Sequence, residues 1–170
     1  MKNSLFLASI LAVLLGACSF AQGSRSEFST EDQMFAAMMI PHHEQAIELS
    51  DLALLSSADP EIKALAAEIR AAQAPEIAQL KSWGLSDTGS QMGHVMGGML
   101  SDDEMQKLAA ITGSEFDRLF LEGMIKHHQG AIEMAGMVLE SKNAVAATLG
   151  RSIVETQAAE IEKMRLLLKR

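Results

Sequence analysis

Apolar residues recur along most of this chain at intervals of three and four, the spacing of one face of an α-helix. At about 100° per residue, Phe35, Met39, His42, Ala46, Leu49 and Ala53 fall on one stripe, with Ile40, His43, Ile47 and Leu54 beside it. Phe120, Met124, His127, Ala131 and Met134 form a second such stripe, flanked by His128. Boundary residues punctuate the pattern. Thr30 with Gln33 suits a capping box for a first helix, and Asp59 before Pro60 suits the N-cap and first turn of a second. Ser114 after Gly113 suits the start of a third long helix, and Asn143 that of a fourth. Ser101 with Glu104 predicts a short extra helix to about Ile111. Pro41 and Pro75 fall inside predicted helices and are expected to bend them.

The pattern occurs twice. Met39-Ile40-Pro41-His42-His43-Glu44-Gln45-Ala46-Ile47-Glu48 is echoed by Met124-Ile125-Lys126-His127-His128-Gln129-Gly130-Ala131-Ile132-Glu133. Gln73-Ala74-Pro75-Glu76-Ile77 is echoed by Gln157-Ala158-Ala159-Glu160-Ile161, with the offset slipped by one residue. Each copy predicts a hairpin of two helices, 30–83 and 113–169, joined by a Gly- and Met-rich linker and short helix over 84–112. A lone hairpin cannot bury its apolar stripe, so the expected fold is an all-α four-helix bundle of two packed hairpins over 30–170.

The first residues follow another logic. Lys2 precedes an apolar run from Leu5 to Leu15, too short to span a bilayer comfortably, which ends in Leu15-Gly16-Ala17-Cys18. That ending resembles a bacterial lipobox. It predicts a signal peptide over 1–17, lipid on Cys18, and a flexible tether over 18–29 on a membrane facing the periplasm or cell exterior. Cleavage after Ala21 is the competing reading; both export the chain. With one Cys no internal disulfide can form.

Composition narrows the chemistry. A net charge of −8 with no basic stripe argues against a nucleic-acid partner. Twelve Met residues stand out beside a single Trp. Met fills helical cores, and its thioether is also a ligand for Cu(I). Four of the five His residues form two adjacent pairs, each preceded by Met at matching places in both copies. Met39 with His42 and His43, and Met124 with His127 and His128, stand three and four residues apart, so each trio is expected to approach one point and hold a metal ion. Alternatively, these are core imidazoles hydrogen-bonded to Gln73, Gln157 or the backbone. Met92, His94, Met96 and Met99 in the linker are poor core material and form a second candidate locus. They could equally be a linker whose Met residues dock on the helices. Neutral imidazole is the ligand form, so binding is expected to weaken as pH falls through the usual His range.

At these residues the chain resembles a bacterial family known as domain of unknown function 305, which includes the CopM-like copper-binding proteins. Its Met-Ile-x-His-His and Ala-Ile-x-Met-Ala elements are met by Met124, Ile125, His127, His128, Ala131, Ile132, Met134 and Ala135. The first copy departs at Leu49 and Ser50. Gln73 with Glu76, and Gln157 with Glu160, match the family's Gln-x-x-Glu-Ile element. The resemblance covers roughly 30–164 and implies a ferritin-like four-helix bundle, export and copper binding. The expected function is non-catalytic: binding Cu(I) or Cu(II) for sequestration or homeostasis outside the cytoplasm. The alternatives are a ferritin-like di-metal oxidase and a metal-free, partner-binding bundle. Met39 and Met124 stand where the oxidase pattern has Glu, which disfavours hard, oxygen-activating iron.

Overall fold

The structure is a computed structural model and describes residues 27–84 and 96–170. The expected signal segment, Cys18 and most of the tether lie outside the described residues, as do Met92 and His94. The described residues form five α-helices and no strand: α1 (Thr30–Ser56), α2 (Pro60–Lys81), α3 (Asp102–Ala109), α4 (Gly113–Ala135) and α5 (Ala144–Leu167), with a 3-10 turn (Gly136–Val138) after α4. None is long and apolar enough to cross a membrane.

The helix ends follow the capping logic with local differences. α1 starts one register earlier than Thr30 and Gln33 predicted. Ser29 is its N-cap, and the box closes between the Ser29 hydroxyl and Asp32 N at 3.1 Å and between Ser29 N and the Asp32 carboxylate at 2.8 Å. A carboxylate in the first turn faces the positive end of the helix dipole, an attraction Gln33 lacks. Asp59, Asn143 and Ser101 cap α2, α5 and α3 as expected. α4 begins at Gly113, and its N-cap Thr112 makes no side-chain capping bond, so Ser114 lies inside the helix. α1 continues through Pro41 and α2 through Pro75.

α1 packs on α2 and α4 on α5, and the hairpins meet chiefly through α1 against α4. The apolar core is in two pieces. One joins the C-terminal part of α1 and the N-terminal parts of α2 and α4 through Leu49, Leu65, Phe116, Phe120 and Met124. The other joins the opposite ends through Phe35, Met39, Leu80, Met134 and Ile153. Between them, at mid-helix, lie the buried polar residues His42, His43, Gln73, His127, His128 and Gln157.

Candidate metal centre

The two hairpins bring their histidines together in this polar layer. His42, His43, His127 and His128 are all fully buried. On a helix about 100° separates adjacent residues, so members of each pair point apart. His42 and His43 have ring centroids 6.5 Å apart, and His127 and His128 6.3 Å. The inner members meet across the hairpins: the His42 and His127 rings lie 3.7 Å apart, inclined by 36°. The outer members turn to their own hairpin partners. His43 Nε2 lies 2.9 Å from Glu76 Oε2, and His128 Nε2 lies 2.7 Å from Glu160 Oε2.

These contacts assign protons. A carboxylate or carbonyl oxygen can only accept here, so the facing imidazole nitrogen donates and carries the hydrogen. His43 and His128 therefore hold hydrogen on Nε2, and so does His42, whose Nε2 faces the Gly97 carbonyl oxygen at 3.2 Å. In all three, Nδ1 is left with a lone pair that is buried and without a partner. Neither nitrogen of His127 has a partner of hydrogen-bond geometry. Buried polar atoms are ordinarily satisfied, and each exception needs a reason. Burial, aided by neighbouring imidazoles, lowers the His42 pKa from 6.5 to about 3 and holds His127 well below the usual range. Both inner rings are therefore neutral at ordinary pH, the form in which imidazole binds metal.

Alongside the two Met-His-His sets, the fold brings the inner histidines of the two copies together. Met39 and Met124 are wholly buried but belong to the two different apolar clusters, one on either side of the layer. Among the described residues, no group of three or more His, Cys, Asp or Glu side chains is already gathered as a metal site. Of the alternative reading, the backbone bond is present at His42, but the Gln-to-His hydrogen bonds are absent from the described residues: Gln73 has neither polar side-chain atom paired, and Gln157 Oε1 is unpaired. Glu76 and Glu160, the acidic members of the repeated Gln-x-x-Glu-Ile element, are the actual partners of His43 and His128. Of the linker candidates, Met96 packs against the cluster containing Met39, and Met99 N donates to Met96 O at 3.3 Å.

Two repeated helical hairpins enclosing a buried histidine layer define an all-helical protein with a donor set suited to a soft or borderline metal ion. The chain belongs to the DUF305 family (domain of unknown function), whose model matches residues 32–168. Solved structures agree. A DUF305 protein of Streptomyces coelicolor, provisionally described as secreted, is 32% identical with a TM-score of 0.75, covering 82% of this chain and 92% of its own. A DUF305 fragment from Deinococcus radiodurans is 31% identical at TM-score 0.75, covering 84% and 97%. CopM in its Cu(II)-bound form is 33% identical at TM-score 0.70, covering 81% and 95%. No match is found among curated proteins.

Proposed function

We propose that this chain is an exported, non-catalytic protein that takes copper, as Cu(I) or Cu(II), into its histidine layer for sequestration or homeostasis outside the cytoplasm. The observation that carries this reading is the set of buried, unpartnered Nδ1 atoms on His42, His43, His127 and His128. Stability alone favours Leu at such positions, since each unmet buried polar atom costs about 1–3 kcal/mol. A metal ion uses those lone pairs. Glu76 and Glu160 then act as the carboxylates that orient ligand imidazoles and raise their basicity. The inner rings turn apart to admit the ion, and Met39 and Met124 supply thioethers from either side when it is Cu(I). CopM, a relative at this level of identity, was solved with Cu(I), Cu(II) and Ag bound.

In the same reading the four long helices form a ferritin-like bundle over 30–170, tethered through 18–29 to lipid on Cys18 after removal of 1–17. Cys18→Ser should abolish membrane fractionation; a soluble wild-type protein beginning at Gln22 would replace the anchor with ordinary secretion. The functional test is a copper titration of the protein beside two variants. His127→Ala with His128→Ala should lower affinity by more than about a hundred-fold while helix content persists. Replacing Met92, His94, Met96 and Met99 should have the smaller effect. The reverse ranking moves the site to the linker. Iron uptake with oxygen consumption would favour a di-metal oxidase, and no specific metal binding a partner-binding bundle.

A further inference from the structure

Residues 96–100 cross the histidine layer from one apolar cluster to the other. Met96 packs on the cluster containing Phe35 and Met39, while Leu100 is buried in the one containing Phe120 and Met124. Between these anchors Gly97 and Gly98 run across α4 in direct backbone contact. A Cβ on Gly130 would lie 1.8 Å from the Gly97 carbonyl oxygen, an overlap no flexible side chain could relieve. Gly98 has φ +86°, and a Cβ there would lie 2.4 Å from the Lys126 carbonyl oxygen. On the α1 side Gln45 holds the segment at both faces of its amide: Nε2 donates to Leu100 O at 2.9 Å, and Oε1 accepts from Leu100 N at 2.8 Å.

The repeat explains why this segment seats as it does. Gln45 and Gly130 occupy the same position in the two copies, just after the His pairs. One copy supplies a grip and the other a gap. The seated segment then places the Gly97 carbonyl on His42 Nε2. The ring of His127, its counterpart across the layer, receives no hydrogen bond from the segment and faces the His42 backbone instead, without full hydrogen-bond geometry. The segment thus breaks the symmetry of the inner pair.

We propose that residues 96–100 form a strap, latched by Gln45 and seated on Gly130, that controls access to the His42–His127 pair and so the rate at which a metal ion enters and leaves the layer. The cover itself rests on the contacts of 96–100; the metal-exchange part rests on the copper-binding reading above.

Two measurements on the full protein separate these parts. Carbethoxylation by diethyl pyrocarbonate, mapped by peptide mass, reads access to the neutral imidazoles without any metal. Gln45→Ala removes two hydrogen bonds from a partly buried side chain and adds no clash. It should speed labelling of His42 and His127 roughly thirty-fold, the change in open population expected for two net hydrogen bonds. Gly130→Ala, which expels Gly97, should speed it further. Gln45→Ala serves where Gly130→Ala fails to fold. Unchanged labelling in a folded Gln45→Ala variant whose Leu100 amide exchanges faster would overturn the strap as a cover. Transfer of Ag(I) from loaded protein to a chromophoric chelator reads exchange, and it should accelerate by a similar factor in Gln45→Ala. Faster labelling with unchanged Ag(I) release would overturn the gating of metal exchange. A wild-type protein that takes up no Ag(I), yet shows faster labelling in the variants, would retain the cover and refute the metal reading.

Discussion

A buried histidine against a carboxylate and one against another imidazole have different work to do, and this chain places one of each in each copy. Glu76 and Glu160 fix the tautomer of His43 and His128 from positions themselves mostly shielded from solvent. Removing the charge while keeping the shape, in Glu76→Gln with Glu160→Gln, should weaken copper binding about 10- to 100-fold with helix content unchanged. Isothermal titration of the double variant checks this, and unchanged affinity would remove both carboxylates from the site. The inner pair governs acid behaviour. His42 titrates at 6.5 when exposed and about 3 when folded, because burial penalises its charged form. The unfolded chain therefore takes up the proton first. Stability is complete above about pH 6.5 and declines as pH falls toward 3, by ~1.4 kcal/mol per pH unit for each such group. His127 adds in the same direction. Thermal midpoints taken from pH 7 to pH 4 should fall accordingly. Proton competition for metal at the inner pair should also begin at lower pH than ordinary histidines would dictate.

The helices were legible because burial imposes a period of about 3.6, and every residue of the first stripe, from Phe35 to Ala53, is indeed fully buried. Their ends were less so. Ser29 with Asp32 and Thr30 with Gln33 are overlapping boxes of the same spacing, and the charge of Asp32 decides between them. Ser29→Ala should cost ~1 kcal/mol and lower the Tm by ~3 °C, measurable by circular dichroism; an unchanged Tm would show that α1 frays at this end regardless. The partners of the outer histidines were hidden for another reason. Gln73 and Gln157 are as long as Glu76 and Glu160, yet the ionised carboxylates make the stronger, charge-assisted hydrogen bonds and prevail. The strap did leave a trace: within the repeat, Gly130 replaces Gln45 inside a helix, where Gly is costly unless something approaches closely.

Across the whole molecule, the sequence showed that His pairs recur at matching places, but the meeting of His42 with His127 depends on how α1 lies against α4, which no local pattern encodes. The result is a core cut in two by a polar layer, an arrangement that sacrifices stability. His42→Leu with His127→Leu should rejoin the clusters and raise metal-free stability by ~1–3 kcal/mol in urea unfolding, while abolishing metal uptake at the inner pair. The same variant should flatten the fall in thermal midpoint between pH 7 and pH 4. Reduced stability would mean that the buried imidazoles serve the fold. The central claim is that the layer binds metal through Nδ1, and the most direct measurement is a long-range proton–nitrogen NMR spectrum of the imidazoles during titration with diamagnetic Ag(I). The account predicts that Nδ1 resonances of the layer histidines shift on binding, while Nε2 of His43 and His128 keep their protons. Ag(I) bound with all four imidazoles unmoved would contradict it.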